Sequence, residues 1–167
     1  MSLRLFAALP VPEDFHDRLL ALQKGVPGAR WRPAANFHVT LRFFGEIDEA
    51  RADDLDAELS SIIMPSFDLR LYGAGWYGRN EPHALWLGVE AGDALMDLQR
   101  RCERGARRAG LAPETRHFSP HMTLAYLRDT PLEATEPFRA THMSMYSSWS
   151  RHGGSNLYRV EADYPLG

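Results

Sequence analysis

At 167 residues, with 44% apolar and 25% charged side chains, the chain has the make-up of an ordinary globular protein, long enough for one domain or for two small lobes sharing a core. A net charge of −3 excludes the basic type of protein that coats duplex nucleic acid, so a polyanion would have to be met at a local positive cleft or through a few phosphates. No apolar run is long enough to span a bilayer, the opening residues do not read as a signal peptide, and a single cysteine, Cys102, excludes an intrachain disulfide; no membrane partner and a cytoplasmic location are the expectations.

The elements follow in chain order. Leu3 to Leu9 is a short apolar strand. Pro12 stands where a first helical residue would be, and Phe15, Leu19, Leu22 and Val26 then recur at helical spacing until Pro27-Gly28. Phe37 to Phe44 alternates as a strand and ends at Gly45. Asp48 is a suitable N-cap for a helix carrying Ala52, Leu55, Leu59 and Ile62, ended by Met64-Pro65. Phe67 to Tyr72 and Ala84 to Val89 read as strands separated by the Gly- and Pro-containing segment Gly73 to Pro82. Asp93 caps a third helix with Leu95, Leu98, Cys102 and Ala109 on one face, which makes Cys102 a buried structural thiol. On the opposite face Arg100, Arg101, Arg104, Arg107 and Arg108 form a solvated basic surface. His121 to Leu127, His142 to Trp149 and Asn156 to Tyr164 complete the strands. With a helix before each of two similar strands, the expected class is α+β, built from two related lobes.

Those two strands carry the chemistry. His38-Val39-Thr40-Leu41 and His121-Met122-Thr123-Leu124 are copies of one pattern, half a chain length apart. Chance predicts roughly 0.03 copies of His-x-Thr-Leu in a chain of this make-up. Strand side chains alternate faces, so His38, Thr40 and Arg42 share one face and His121 and Thr123 share another, each backed by apolar residues. One imidazole can be neutral while the other is protonated near neutral pH, which is what concerted base and acid catalysis requires. Threonine hydroxyls can donate to non-bridging phosphate oxygens. The fitting reaction is phosphodiester chemistry at a small anionic site. The spacing is symmetric and does not say which histidine gives the proton. A zinc pair at His117 and His121 has helical metal spacing, but Ser119-Pro120 between them argues against a helix there.

The flanks extend the pattern. Arg4 to Leu9, Arg30-Trp31 with Asn36 to Glu46, Leu85 to Val89, Arg116 to Ala125 and the ending through Tyr158 and Pro165-Leu166 resemble the 2H phosphoesterase superfamily (HxTx motif), specifically the bacterial and archaeal RNA 2′,3′-cyclic phosphodiesterases, also called 2′-5′ RNA ligases. The resemblance implies one domain over residues 1–167, with two interleaved antiparallel lobes, helices outside, and a V-shaped cleft of pseudo-twofold symmetry. It implies opening of a terminal 2′,3′-cyclic phosphate on RNA to a 2′-phosphate, reversible 2′-5′ ligation, and no metal or nucleotide cofactor. It makes His38 the proton donor and His121 the proton acceptor, with Thr40 and Thr123 on the phosphate. Arg42, Phe6, Trp31, Arg116 and Phe118 are candidate substrate contacts. Relatives often carry Arg where this chain has Tyr126; Arg42 or Arg128 is then the candidate replacement cation. RNA ends or related small nucleotides are the expected partners, and a monomer the expected state. Two alternatives stay open: the same chemistry on small cyclic nucleotides or 2′-5′ oligonucleotides, and a catalytically silent module that binds RNA ends.

Overall fold

The computed structural model describes residues 2–26, 28–78, 83–126, 137–149 and 157–167. In chain order its elements are β1 (Ser2–Pro10), α1 (His16–Leu22), β2 (Arg30–Trp31), β3 (His38–Asp48), α2 (Glu49–Ser60), β4 (Phe67–Tyr77), β5 (Ala84–Val89), α3 (Asp93–Arg108), β6 (His121–Tyr126), β7 (Pro137–Ala140), β8 (His142–Trp149) and β9 (Leu157–Pro165). The strands form two antiparallel sheets, one ordered β3-β1-β8-β9 and the other β2-β6-β5-β4-β7. The α+β architecture is therefore as expected, and the sheets interleave along the sequence: the first joins the beginning of the chain to its end, and the second takes β2 and β4 from the first half.

The helices follow local chemistry. Asp48 caps α2 by accepting a hydrogen bond from the Arg51 amide at 2.9 Å, and Ala52, Leu55 and Leu59 turn inward. α3 begins at Asp93 itself, and the N-cap is Gly92, one residue before the expected one. Its inner face, Leu95, Leu98, Cys102 and Ala106, is fully buried; each leucine contributes about 1.5–3 kcal/mol by leaving water. Gly105 lies where α3 meets α2, its ideal Cβ position 3.4 Å from the Cβ of Glu58. The Cys102 thiol contacts the Met143 sulfur at 3.2 Å, and burial raises its pKa to about 12, which suits a structural thiol.

Three elements differ most in extent from expectation, and two strands are additional. α1 is short: Pro12 caps a 3-10 turn at Glu13–Phe15, and the helix ends at Leu22 before reaching Val26; Pro27 lies outside the described residues. β3 continues through Gly45, whose φ of 81° accommodates an irregularity in the pairing with β1. β4 continues through Gly73 to Tyr77, five residues into the expected connecting segment. β2 and β7 were not foreseen, since two- and four-residue strands carry too few positions to show alternation.

Candidate active site

His38 opens β3 and His121 opens β6, so the two imidazoles belong to different sheets. They are anchored alike. His38 Nδ1 lies 2.7 Å from the carbonyl oxygen of Asn36, and His121 Nδ1 lies 2.8 Å from that of Ser119. In each case the partner is two residues upstream. A carbonyl can only accept, so Nδ1 carries the proton in both rings and each neutral Nε2 is a free acceptor position of the ring. Thr40 and Thr123 are half-buried, as are both histidines.

The same bulge follows each motif. Ala7 pairs with Arg42 and Ala8 with Thr40, which leaves Leu41 as the extra residue of β3. Leu85 pairs with Ala125 and Trp86 with Thr123, which leaves Leu124 as the extra residue of β6. A bulge resets the alternation of side chains. Two consecutive residues of each motif strand are therefore buried, Leu41-Arg42 and Leu124-Ala125, and Phe43 and Tyr126 come round to the side of their histidines, where both line a cavity of about 210 Å³ with His38 and Thr40.

This reset corrects the expectation for Arg42. Simple alternation puts it beside His38; the bulge turns it inward, where it is 8% exposed. Its Nε donates to Glu103 at 2.6 Å, and its two terminal nitrogens donate to the Phe43 carbonyl at 2.5 Å and the Ala112 carbonyl at 2.7 Å. Arg42 borders a larger cavity of about 770 Å³, but one donor on each of its three nitrogens is engaged by the fold, and Glu103 and Glu114 oppose its charge. Arg128 lies outside the described residues.

The other candidates divide. Phe6 is only 4% exposed. It stacks on Tyr146 at 5.1 Å and 12°, and its ring centre lies 5.1 Å from that of His38. It therefore packs beside the imidazole and, although almost fully buried, lines the smaller cavity with His38 and Thr40. Trp31 is half-buried in β2 opposite Ala125 and packs against the main core. Phe118 packs on that core too but also borders the larger cavity, together with Arg116, Thr40 and His121. Arg116 is 77% exposed, and its guanidinium is held by Glu114 at 2.9 Å. Hydrogen bonds from the Arg116 side chain and amide depress the Glu114 pKa to about 2.

Three residues near the histidines were not foreseen. The Tyr77 hydroxyl lies 3.2 Å from His121 Nδ1, a position it reaches only because β4 runs past Gly73. Trp86, opposite Gly75, flanks His121 with ring centres 6.3 Å apart. A Cβ on Gly75 would lie 2.4 Å from the Trp86 ring, so the glycine is the seat of the indole. Arg32 is 3% exposed and lies over the rings of Tyr126 and Tyr158 at 5.3 and 5.4 Å. The one available signal was the basic run Arg30-Trp31-Arg32 ahead of the first motif.

The two imidazoles sit in different surroundings. Phe6, Tyr146 and Tyr158 all stand within 6 Å of His38, centre to centre. Burial among them lowers the His38 pKa to about 4; the Asn36 hydrogen bond opposes this, and electrostatic repulsion from Arg32 and His121 adds to it. His38 is thus neutral in the empty site at pH 7. Among the described residues, no cluster of three or more His, Cys, Asp or Glu is arranged to hold a metal, and no helix is long and apolar enough to cross a membrane.

Fold and site together are of the phosphoesterase type. The crystal structure of Escherichia coli LigT complexed with 3′-AMP superposes with a TM-score of 0.86 and 25% identity, covering 99% of each chain. The chain belongs to the LigT-like phosphoesterase family, whose model matches it twice, over residues 9–86 and 87–153; each span contains one His-x-Thr-Leu. Among curated relatives, an RNA 2′,3′-cyclic phosphodiesterase of Escherichia coli is 30% identical over 156 residues, 87% of this chain and 86% of that protein. One from Aeropyrum pernix is 38% identical over 95 residues, about half of either chain (56% and 54%).

Proposed function

We propose that this phosphoesterase hydrolyses the 2′,3′-cyclic phosphate at an RNA end to a 2′-phosphate, using His38 and His121 as its acid–base pair. The observation that carries the reading is the matched pair: two imidazoles on two sheets, each fixed through Nδ1 to the carbonyl two residues upstream and each followed by a threonine. The names of the relatives, RNA 2′,3′-cyclic phosphodiesterases, support the substrate.

In the proposed step, His121 Nε2 takes a proton from water, and the water oxygen bonds to phosphorus. The bond from phosphorus to the 3′ oxygen breaks opposite the attack, and His38 Nε2–H protonates that oxygen. The products are a 2′-phosphate and a 3′-hydroxyl. Thr40 and Thr123 donate to the non-bridging oxygens, where charge builds. The empty site disfavours a protonated His38; the anionic phosphodiester supplies the opposing charge that favours it. The donor role of His38 thus requires substrate to be bound, and with this order His38 takes up its proton from solvent as the anionic substrate binds. With the 5′-hydroxyl of a second RNA in place of water, the same forward step makes a 2′-5′ linkage and frees the 3′-hydroxyl, and its reverse cleaves that linkage back to the cyclic phosphate.

The test is an oligonucleotide ending in a 2′,3′-cyclic phosphate, assayed with a chelator present and with the product phosphate located by chemical standards. A 2′-phosphate is expected. His38→Ala and His121→Ala should each lose about 10²–10⁴-fold in turnover, the usual worth of a general acid or base, while keeping the melting temperature near that of the parent. A 3′-phosphate product, or full activity in His121→Ala, would remove the scheme. Comparison of kcat/KM on a cyclic mononucleotide separates an RNA-end enzyme from one for small nucleotides, in line with the nucleotide complexes of Escherichia coli LigT with 3′-AMP, ATP and NADP+.

A further inference from the structure

Arg32 is a charged side chain in a place where charges are costly. It is 3% exposed, and among the described residues its Nη2 is buried without a hydrogen-bond partner and no carboxylate pairs with it. Its backbone is fixed: the amide donates to the Leu124 carbonyl at 2.9 Å, and its carbonyl accepts from Gln23 Nε2 at 2.7 Å. Its guanidinium carbon lies 5.3 Å from the Tyr126 ring centre and 5.4 Å from that of Tyr158, within the range of cation–π attraction. Both tyrosines line the smaller cavity with His38 and Thr40. Across the site the arrangement has a counterpart: Arg4, on the strand beside β3, lies over Phe43 at 5.1 Å. Phe43 and Tyr126 occupy the same place in their motifs, five residues after the histidine.

We propose that Arg32 is the fixed cation of the phosphate site, a positioning residue that draws the reacting phosphodiester to the His38 side of the cleft from behind the wall formed by Tyr126 and Tyr158. Arg42 is bonded elsewhere, and Arg4, which also borders this cavity, lies over Phe43, so the charge behind the Tyr126–Tyr158 wall is that of Arg32, the residue after β2. Arg32 touches neither the substrate nor the reacting atoms. Its effect falls on the substrate's charge, which is the same before and during reaction, so it acts on KM more than on kcat. The inference rests on the phosphodiesterase reading.

The test compares the parent with Arg32→Met, Arg32→Lys and the double variant Arg32→Met/Tyr126→Arg. Steady-state kinetics on the cyclic-phosphate oligonucleotide are measured alongside calorimetric binding of inorganic phosphate. Arg32→Met should raise KM and weaken phosphate binding on the order of tenfold, the scale of one unit charge acting across a protein wall, with a smaller change in kcat. Arg32→Lys, which keeps the charge, should retain most of the affinity, and the double variant, which returns a charge to the same wall, should regain it. Arg32→Gln replaces Arg32→Met if the latter does not fold. Parental KM and phosphate affinity in the uncharged variant would overturn the proposal. So would a loss that neither Arg32→Lys nor the relocated charge repairs, since that is the mark of packing alone. If the parent binds phosphate with this dependence but leaves the cyclic phosphate intact, the activity reading fails and the cation site stands.

Discussion

Acidification reads out the state of His38 directly. The unfolded chain binds a proton on this imidazole near pH 6.5, whereas the folded chain binds it only near pH 4. Between those values protons favour the unfolded state, so the contribution is fully present above pH 6.5 and is lost as pH falls toward 4. The linkage relation with these two values gives a loss of about 2 kcal/mol between pH 7 and pH 5, and about 3 kcal/mol by pH 4. Glu114, depressed to about 2 from an ordinary 4.5, has the same sign but acts lower, mostly below pH 4.5, and leaves the upper window to histidines. Urea denaturation at pH 7 and pH 5 measures the loss, and His38→Gln removes the titrating group. The parent should lose about 2 kcal/mol more than the variant over this interval. An equal loss in both would show that His38 titrates normally in the folded protein and would refute the burial argument.

Tyr77→Phe removes the hydroxyl beside His121 Nδ1; kcat should fall about tenfold with KM nearly unchanged, as for a group that orients a base, and steady-state kinetics check it. Gly75→Val places a side chain where the Trp86 ring lies, so chemical denaturation should show a loss of about 1–3 kcal/mol together with reduced turnover. Arg42→Met leaves Glu103 without its 2.6 Å partner; unfolding should cost about 3 kcal/mol less while KM of the folded enzyme stays at the parental value, whereas a raised KM would return Arg42 to the substrate.

Much of the site was readable because it repeats. The doubled His-x-Thr-Leu, its apolar backing, and the Leu95, Leu98 and Cys102 face of α3 follow from periodicity alone. The inward turn of Arg42 does not. A bulge is defined by the register of the partner strand, and β1 is distant in sequence from β3, so nothing within residues 38–44 marks Leu41 as extra. Tyr77 was hidden for a related reason. Gly73 and Gly75 read as turn signals, whereas one sits at a pairing irregularity and the other seats an indole from the neighbouring strand. Arg32 was passed over because its burial depends on Tyr158, which arrives from the far end of the chain.

The sheet that holds His38 also sets when the site can come into being. Its β1 pairs with β8, and β8 with β9. The rings around His38 come from β1, β8 and β9 together. Contacts this distant along the chain make for slow closure. As the protein is synthesised, the second histidine emerges and can pair into its own sheet while the first still lacks two of its three neighbouring rings. His38 then has no reason to hold off its proton. The aromatic surroundings that set His38 apart are complete only once β9 has been made.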